Sequence, residues 1–201
     1  VGIEPGPILI EPEGKNTAPA ILAASLYAFE IDADAILLTA PSDHIIPDIN
    51  AFHDAIHEAI ASVETGKIVT FGITPSHAET GYGYLELSEA SELGSIALKS
   101  FVEKPNALRA QKMVDSGNFV WNSGIFMFRA KDMIGAFQKH TPELFDTVLE
   151  AFKTGESDLG FFRLNPEKWS KCFDISIDYA IMEKVDNHVV IPFSAGWSDL
   201  G

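Results

Sequence analysis

The sequence predicts an α/β fold in which a mostly parallel sheet is flanked by helices on both faces. Strand-like and helix-like segments alternate along most of the chain, which is the order that βαβ units produce. The helix-like segments between the strands are often ten or more residues long, enough for crossover connections. A chain of 201 residues with 46% hydrophobic and 21% charged residues is also able to bury a core.

The elements follow one another with few gaps. Strands are predicted at 7–10, 35–39, 68–73, 84–87, 97–102, 123–128 and 189–193. Helices are predicted at 17–30, 50–64, 106–115, 131–139, 142–152 and 177–184. The first helix begins with Asn16-Thr17-Ala18-Pro19, a polar capping residue with proline in the first turn. The helix at 50–64 has an apolar face and is ended by Gly66.

The strand at 35–39 is apolar, so we expect it to be buried on both faces in the middle of the sheet. It is followed by a turn and by Ser42, Asp43 and His44. Binding sites in parallel α/β sheets lie beyond the carboxyl ends of the strands, which is where Asp43 would stand. The acidic, serine-rich segment 85–100 is predicted to be an exposed excursion.

Charge and cysteine content exclude several classes of protein. The chain has 29 acidic and 14 basic residues and a formal net charge of −15, so we expect no nucleic-acid partner. The single cysteine cannot form an intrachain disulfide and fits a reducing compartment. No apolar run approaches the length of a membrane span and no signal peptide opens the chain, so we expect a cytoplasmic protein.

Asp43 and Asp199 are candidate ligands for a hard cation. Asp43 follows a strand in PSDH, and Asp199 lies in AGWSDLG near the other end of the chain. Carboxylate oxygens suit Mg²⁺, which takes one or two protein carboxylates and fills its shell with water and substrate phosphates. The alternatives are an ordinary turn at Asp43 and a loop around a buried tryptophan at Asp199.

Other polar residues have the chemistry of a sugar-phosphate site. Glu103 could accept hydrogen bonds from sugar hydroxyls and Lys104 could hold a phosphate. Both reach one ligand only if their strand is already breaking, because neighbours on a strand point to opposite faces. Gly83 would let the backbone approach a ligand, and Asn122 could bind a sugar. Each also has an ordinary structural alternative, as a strand end, a glycine turn or a strand cap.

Two patterns are set aside as sites. His53 and His57 are four residues apart with Asp54 between them, which is similar to HExxH, but no third ligand is evident. We expect them to be surface residues of an amphipathic helix. Cys172 has no accompanying histidine pattern and is expected to be a small core residue.

Taken together and in order, the motifs resemble the bacterial mannose-1-phosphate guanylyltransferases. The matching stretches are EPEGKNTAPAI (11–21), PSDHII (41–46), ETGYGYLE (79–86), FVEKP (101–105), WNSGIF (121–126), SIDYAIMEK (176–184) and GWSDLG (196–201). The resemblance implies one Rossmann-like, GT-A-like nucleotidyltransferase domain over 1–201. It also implies an enzyme that makes GDP-mannose and pyrophosphate from GTP and mannose 1-phosphate, for polysaccharide biosynthesis.

The resemblance also implies roles for individual residues. Asp43 and Asp199 would hold Mg²⁺ against the phosphates, and these two with Lys104 would be the catalytic residues. The sugar pocket would comprise Gly83, Glu103, Lys104 and Asn122. Asn16 and Thr17 would lie near the guanosine. A homodimer is compatible with the sequence.

One departure from the family is large. The family begins with a glycine-rich loop, GGxGTRL, followed by a proline-lysine segment, and this sequence lacks both. We therefore expect an internal fragment without its N-terminal strands and with little activity of its own. Two alternatives stay open: a thymidylyl- or uridylyltransferase acting on glucose 1-phosphate, and a non-catalytic domain that binds sugar nucleotides.

Overall fold

The structure is a computed structural model that describes residues 5–92, 94–194 and 196–200. The chain divides into two compact units. The first unit comprises the described residues up to Ala35 together with Ala130–Val185. The second comprises Ile36–Arg129 together with the described residues from Asp186 onward.

The described residues form eleven strands, six α-helices and a short π-helix. The strands are β1 (Ile8–Ile10), β2 (Ile36–Thr39), β3 (His44–Ile45), β4 (Ile68–Ile73), β5 (Tyr84–Glu92), β6 (Ser95–Val102), β7 (Phe119–Arg129), β8 (Glu156–Asp158), β9 (Phe161–Arg163), β10 (His188–Phe193) and β11 (Ser198–Asp199). The helices are α1 (Thr17–Ile31), α2 (Ile49–Glu64), α3 (Ala107–Ser116), α4 (Ala130–His140), α5 (Pro142–Lys153) and α6 (Pro166–Trp169), with the π-helix at Asp178–Met182. Among them, no helix is both long and apolar enough to cross a bilayer.

The first unit is a helical layer with a small sheet. Helix α1 packs against α4 and α5, and α5 packs against α6. The sheet has the order β1-β9-β8, in which β1 runs parallel to β9 and β8 antiparallel to it. Trp169 is fully buried, and its indole N–H donates to the carbonyl oxygen of Glu13 at 2.7 Å. Hydrogen bonding of this kind lets a large aromatic side chain be buried without an unpaired donor.

Side-chain caps fix where several helices begin. Asp48 accepts a hydrogen bond from the backbone N–H of Ala51 at the start of α2, at 3.0 Å. Asn106 does the same for Arg109 at the start of α3. Helix α3 ends at Gly117, which has φ of 72°, a conformation that glycine adopts without steric cost. These bonds satisfy backbone donors that a helix leaves unpaired at its first turn.

The main sheet, in the second unit, is largely antiparallel, so the predicted mostly parallel sheet is wrong. Its order is β2-β7-β4-β10-β6-β5, and β5 also pairs with β7. Five strands therefore form a closed ring, β7-β4-β10-β6-β5. Only the β4–β10 pair is parallel. The long strand β7 makes the ring possible because its first half pairs with β5 and its second half with β2, while β4 lies along its other edge.

Strand β2 does not lie in the middle of the sheet. It pairs with β7 alone, and its residues alternate between exposed and half-buried. Ile36 is 39% exposed and Leu38 is 40% exposed. The expectation of a central strand buried on both faces is therefore wrong, because an apolar sequence reports hydrophobicity and does not report how many neighbours a strand acquires.

The segment 85–100 is also not an excursion. Strands β5 and β6 form a hairpin that supplies two members of the ring. Leu85 is fully buried, and Glu86 accepts hydrogen bonds from Lys99 and Ser100 on the facing strand. Glu86 therefore lies on the polar side of an alternating strand, opposite in direction to Leu85.

The core of the second unit lies between the ring and α2. One face of α2 packs on β4, β7 and β10, with Ala55, Ala59 and Val63 buried. Phe71 in β4 and Phe193 in β10 meet in an edge-to-face contact with ring centroids 5.9 Å apart. The strand predicted at 68–73 is confirmed at those bounds, and α2 begins one residue before its predicted start.

Candidate functional site

A two-stranded sheet, β3 and β11, brings distant parts of the second unit together. Asp199 pairs with His44 in antiparallel register, and Ser198 pairs with Ile45. The backbone N–H of Leu200 donates to the carbonyl oxygen of Asp43 at 3.1 Å. These backbone bonds hold the Asp43 and Asp199 segments side by side. Gly201, the last residue of the GWSDLG motif, lies outside the described residues.

Asp43, His44 and Asp199 form a compact group of potential metal ligands. One oxygen of each carboxylate and one ring nitrogen of His44 all lie within 4.8 Å of one another. Asp43 is exposed, and the other two residues are half-buried. Within the described parts of the chain, this is the one cluster of three or more such residues.

The hydrogen bonding of His44 leaves the two carboxylates as the cluster's ligands. The indole N–H of Trp197 donates to Nδ1 of His44 at 3.2 Å. A neutral imidazole that accepts at Nδ1 carries its proton on Nε2, so neither nitrogen offers a lone pair to a cation. Two carboxylates without a nitrogen ligand form a donor set that fits a hard cation such as Mg²⁺.

Glu103 and Lys104 lie where their strand breaks. Strand β6 ends at Val102, and Lys104 has φ of 41°, which is rare for a residue other than glycine. Nζ of Lys104 lies 3.5 Å from Oε1 of Glu103, and the side chains are 65% and 17% exposed. The break therefore turns two consecutive side chains toward each other, which a regular strand would forbid.

Gly83 lies beside Glu103 and is hydrogen-bonded to Asn122. The backbone N–H of Asn122 donates to the carbonyl oxygen of Gly83 at 2.8 Å. A Cβ atom on Gly83 would come within 2.8 Å of Oε2 of Glu103, so only glycine fits there without displacement. The side-chain oxygen of Asn122 accepts a hydrogen bond from the N–H of Gly124 at 3.1 Å. The structure thus groups three of the residues predicted from the sugar-pocket motifs.

Asn16 and Thr17 belong to the first unit. Asn16 has φ of 64°, and its side-chain oxygen accepts a hydrogen bond from the N–H of Thr17 at 2.9 Å. The hydroxyl of Thr17 accepts a hydrogen bond from the N–H of Ile177 at 2.8 Å. Both side chains therefore have structural partners at the start of α1, and their predicted nucleotide-binding role stays a prediction.

A chain of aromatic residues was not identified from the sequence. Edge-to-face contacts connect His77 to Trp121, Trp121 to Tyr82, Tyr82 to Trp197 and Trp197 to His44, with ring centroids 5.1–5.4 Å apart. Burial raises the pKa of Tyr82, and the negative charges of Asp199 and then Glu79 raise it further. Its hydroxyl therefore stays protonated, as a donor facing acidic groups. The motifs contained these aromatic residues, but nothing in their spacing indicated mutual contact.

The loop before β5 is held by its own hydrogen bonds. The carboxylate of Glu79 accepts from the backbone N–H groups of Thr80 and Gly81, at 2.7 and 2.9 Å. Hydrogen bonds from Gly81 and Thr80 lower the pKa of Glu79, and His77 lowers it further. The buried Tyr84 hydroxyl accepts from the N–H of Glu79 and donates to its carbonyl oxygen.

The patterns set aside as sites have no catalytic partners in the described structure. His53 and His57 are exposed on α2, as expected. Cys172 is buried, and burial raises the pKa of its thiol to about 11. A thiol with a raised pKa is a poor nucleophile at neutral pH, which agrees with its interpretation as a core residue.

A mixed α/β fold with two adjacent carboxylates fits a protein that binds a cation together with phosphates, and comparison with known proteins shows its family. The model of the nucleotidyl transferase family matches residues 4–201, so the chain belongs to that family. The chain is 44% identical over 201 residues to the xanthan biosynthesis protein XanB of Xanthomonas campestris. It is 42% identical over 200 residues to the mannose-1-phosphate guanylyltransferase of Escherichia coli K12.

These relatives are longer than the chain. The alignments cover 100% and 96% of this chain but only 43% and 42% of the two relatives. A crystal structure of mannose-6-phosphate isomerase from Helicobacter pylori is similar with a TM-score of 0.87 and 33% identity. That match covers 95% of this chain and 74% of the other. The α/β nucleotidyltransferase fold expected from the motifs is confirmed, apart from the direction of its strands.

Proposed function

We propose that the protein to which this chain belongs is a mannose-1-phosphate guanylyltransferase, with both units part of one GT-A-like domain over 1–201. It transfers GMP from GTP to mannose 1-phosphate and releases pyrophosphate. The observation that carries the proposal is the β3–β11 pairing, which sets Asp43 beside Asp199 in a chain so similar to a curated guanylyltransferase. The relatives named for xanthan and alginate biosynthesis support a role in supplying GDP-mannose for polysaccharides.

The reaction is a single in-line displacement. A phosphate oxygen of mannose 1-phosphate attacks the α-phosphorus of GTP and forms a new P–O bond. The bond from that phosphorus to the α,β-bridging oxygen breaks, and pyrophosphate leaves with the electron pair. No covalent intermediate with the enzyme is needed, so the chain requires no activated serine, cysteine or histidine. Catalysis then depends on positioning the two substrates and on neutralising their charge.

Charge neutralisation is the difficult part for this chain. Both substrates are polyanions, and the chain itself has a formal net charge of −15. Asp43 and Asp199 would hold a divalent cation, which we propose to be Mg²⁺ and which would supply positive charge to the phosphates. Enzymes of this family generally use such a metal. Lys104, 65% exposed, supplies a second positive charge at the end of β6.

The sugar would be bound by Gly83, Glu103 and Asn122. The carboxylate of Glu103 is mostly buried beside Gly83 and accepts hydrogen bonds from sugar hydroxyls. Asn16 and Thr17 contact the guanosine. We also propose that the protein acts in the cytoplasm and forms a homodimer.

Pyrophosphate release by the gene-length protein with Mg²⁺ tests the substrates. GTP, ATP, UTP or dTTP would each be paired with mannose 1-phosphate or glucose 1-phosphate. Release confined to GTP with mannose 1-phosphate supports the proposal. Release with UTP or dTTP and glucose 1-phosphate would make it a uridylyl- or thymidylyltransferase. Release with no pair would favour a non-catalytic sugar-nucleotide-binding domain.

A second assay tests for isomerase activity, because the similar crystal structure from Helicobacter pylori is that of a mannose-6-phosphate isomerase. Conversion of mannose 6-phosphate to fructose 6-phosphate would be measured with the same preparation. If isomerisation survives Asp199→Asn while pyrophosphate release is lost, the two activities use different sites and the assignment of Asp199 to transfer stands. If the protein isomerises and never releases pyrophosphate, the transferase proposal is wrong.

A further inference from the structure

The indole N–H of Trp121 is a buried donor without an acceptor. Trp121 is 5% exposed, and in the part of the chain that the structure describes its Nε1 is the one buried side-chain polar atom lacking a hydrogen-bond partner. Buried polar groups in folded proteins are nearly always paired, so each exception calls for a specific explanation. The indole N–H of Trp169, which is fully buried, is paired with the carbonyl oxygen of Glu13.

The polar groups around Trp121 are already engaged with one another. His77 packs on the Trp121 ring, but its Nδ1 lies 3.0 Å from the hydroxyl of Ser76 and its Nε2 lies 3.4 Å from a carboxylate oxygen of Glu79. The hydroxyl of Tyr84, which is opposite Trp121 on the next strand, is bonded to both backbone groups of Glu79. Neither neighbour therefore turns an acceptor toward the indole.

Trp121 is joined to both parts of the candidate site. Its chain neighbour Asn122 donates to the carbonyl of Gly83, and Gly83 abuts Glu103. Its ring touches Tyr82, and the Tyr82 ring also touches Trp197, whose N–H bonds to His44 in the carboxylate cluster. Trp121 is therefore linked to the Gly83–Glu103 contact through the backbone of Asn122, and to the carboxylate cluster through the rings of Tyr82 and Trp197.

Tyr82 is the residue placed to uncover this donor. It lies between Gly81 and Gly83, and a Cβ on Gly81 would meet nothing closer than 3.4 Å. The Tyr82 ring can move by rotation about its own side-chain torsions, with the backbone of the loop unchanged. Glu79 and Tyr84 are held by mutual hydrogen bonds, so rotation of Tyr82 would not require the whole loop to move.

We propose that the indole N–H of Trp121 donates a hydrogen bond to a hydroxyl of the hexose in the sugar-phosphate substrate, after the Tyr82 ring swings aside. This inference rests on the proposed function and deepens it. A hydroxyl is the fitting acceptor because the carboxylate of Glu79, which lies beside the His77 ring that packs on Trp121, would repel a phosphate there. A site built to bond a hydroxyl also rejects sugars that lack it, which makes Trp121 a specificity-determining residue.

Trp121→Phe in the gene-length protein removes the N–H and keeps an aromatic ring. We expect the KM for mannose 1-phosphate to rise about tenfold, the effect of losing one hydrogen bond to a neutral partner. The KM for GTP and the kcat should stay within about twofold. Trp169→Phe is the matched control, because its indole N–H bonds to Glu13; it should lower thermal stability and leave the KM unchanged.

Monodeoxy analogues of mannose 1-phosphate identify the hydroxyl. With the wild-type protein, the analogue lacking the bonded hydroxyl should lose about tenfold in kcat/KM. With Trp121→Phe, that analogue and mannose 1-phosphate should react equally well, because the same bond cannot be lost twice. An unchanged KM in Trp121→Phe, or equal losses for every analogue in both proteins, would overturn the inference and assign the donor to a buried water.

A spectroscopic measurement on the wild-type protein covers the case in which the variant fails to fold. The indole ¹H–¹⁵N signal of Trp121 should move downfield on addition of mannose 1-phosphate, and the Trp169 signal should not move. A Trp121 signal that is insensitive to saturating sugar phosphate would overturn the inference. Absence of pyrophosphate release from GTP and mannose 1-phosphate by the wild-type protein would contradict the proposed function. If pyrophosphate is released, the variant and spectroscopic results test the role of Trp121 alone.

Discussion

Replacing Gly83 with alanine tests whether its contact with Glu103 builds the sugar pocket. A Cβ on Gly83 would lie 2.8 Å from Oε2 of Glu103 and 2.9 Å from Cζ of Phe101, distances that real Cβ contacts essentially never show. Neither neighbour moves freely. The Glu103 side chain is 17% exposed, and Phe101 packs against the buried cluster of Leu85, Val120 and Val190. The new methyl group must therefore displace the carboxylate, the ring or both.

The expected effect is larger on catalysis than on folding. Restoring an ordinary contact requires Oε2 of Glu103 to move from 2.8 Å to about 3.4 Å from the new atom. Misplacing a positioning group by about 1 Å can cost roughly a hundredfold in rate, so this smaller shift should cost about tenfold in kcat/KM for mannose 1-phosphate. Overpacking at one site should lower the free energy of unfolding by roughly 1–3 kcal/mol.

Gly81→Ala is the matched control for this experiment. It adds the same methyl group two residues away in the same loop, where the nearest atom would be Oε1 of Glu79 at 3.4 Å, an ordinary contact. Steady-state kinetics of pyrophosphate release, with each substrate varied in turn, would be measured for both variants of the gene-length protein. If Gly83→Ala and Gly81→Ala have the same KM for mannose 1-phosphate, the Gly83–Glu103 contact does not belong to the sugar site.

Asp199→Asn should reduce turnover by at least a hundredfold with an unchanged melting temperature, whereas Asp54→Asn, on the exposed face of α2, should have wild-type activity. Wild-type turnover by Asp199→Asn with an unchanged requirement for Mg²⁺ would argue against a ligand role. Glu79 has a folded-state pKa below its ordinary value of 4.5 because it accepts backbone hydrogen bonds from Gly81 and Thr80. Its contribution to stability should therefore be complete above about pH 4.5 and disappear as the pH falls through the lower folded pKa, so the melting temperatures of wild type and Glu79→Gln should differ at pH 6 and converge in acid. The thiol of Cys172, buried and with a pKa of about 11, should react with a thiol reagent at pH 8 only after unfolding; rapid labelling of the native protein would contradict the buried placement.

Helices were predicted well because their signals are local. The predicted capping residue Asn16 lies at the start of α1, and its side-chain oxygen accepts a hydrogen bond from the N–H of Thr17. Apolar spacing then gives the buried face, as for α2. The final helix, predicted at 177–184, is observed as a short π-helix at Asp178–Met182.

Strand direction and strand neighbours could not be predicted in the same way. The sequence of β2 is apolar, which suggested a central strand, but pairing with β7 alone leaves Leu38 40% exposed. The alternation of strands and helices suggested parallel pairing, yet β7 runs antiparallel to β2, β4 and β5. A strand's own residues encode its hydrophobicity, whereas its partners are set by contacts between segments far apart in the chain.

The sequence likewise predicted single residues of the candidate site but not how they come together. The motifs identified Asp43 and Asp199 individually, but β3 and β11 have two residues each, too short for any periodicity to predict their pairing. The sequence analysis required the strand to break at Glu103 and Lys104 if both side chains are to reach one ligand. Lys104 has φ of 41°, so the strand does break there. The unpaired donor of Trp121 has no sequence signal, because the absence of an acceptor is a property of the packed surroundings.

Trp197 explains how so short a sheet can hold two carboxylates in place. A two-residue pairing has little stability by itself and needs support from side-chain packing. Trp197, which directly precedes β11, packs against the core of the second unit and contacts the Tyr82 ring. Its indole N–H donates to His44 in β3, so its side chain connects the two strands. Because Tyr82 also rests on Trp121, a displacement of Tyr82 by a sugar would change the packing of Trp197 as well. If a sugar displaces Tyr82 as proposed, we expect sugar binding to change the geometry of the carboxylate pair through these ring contacts.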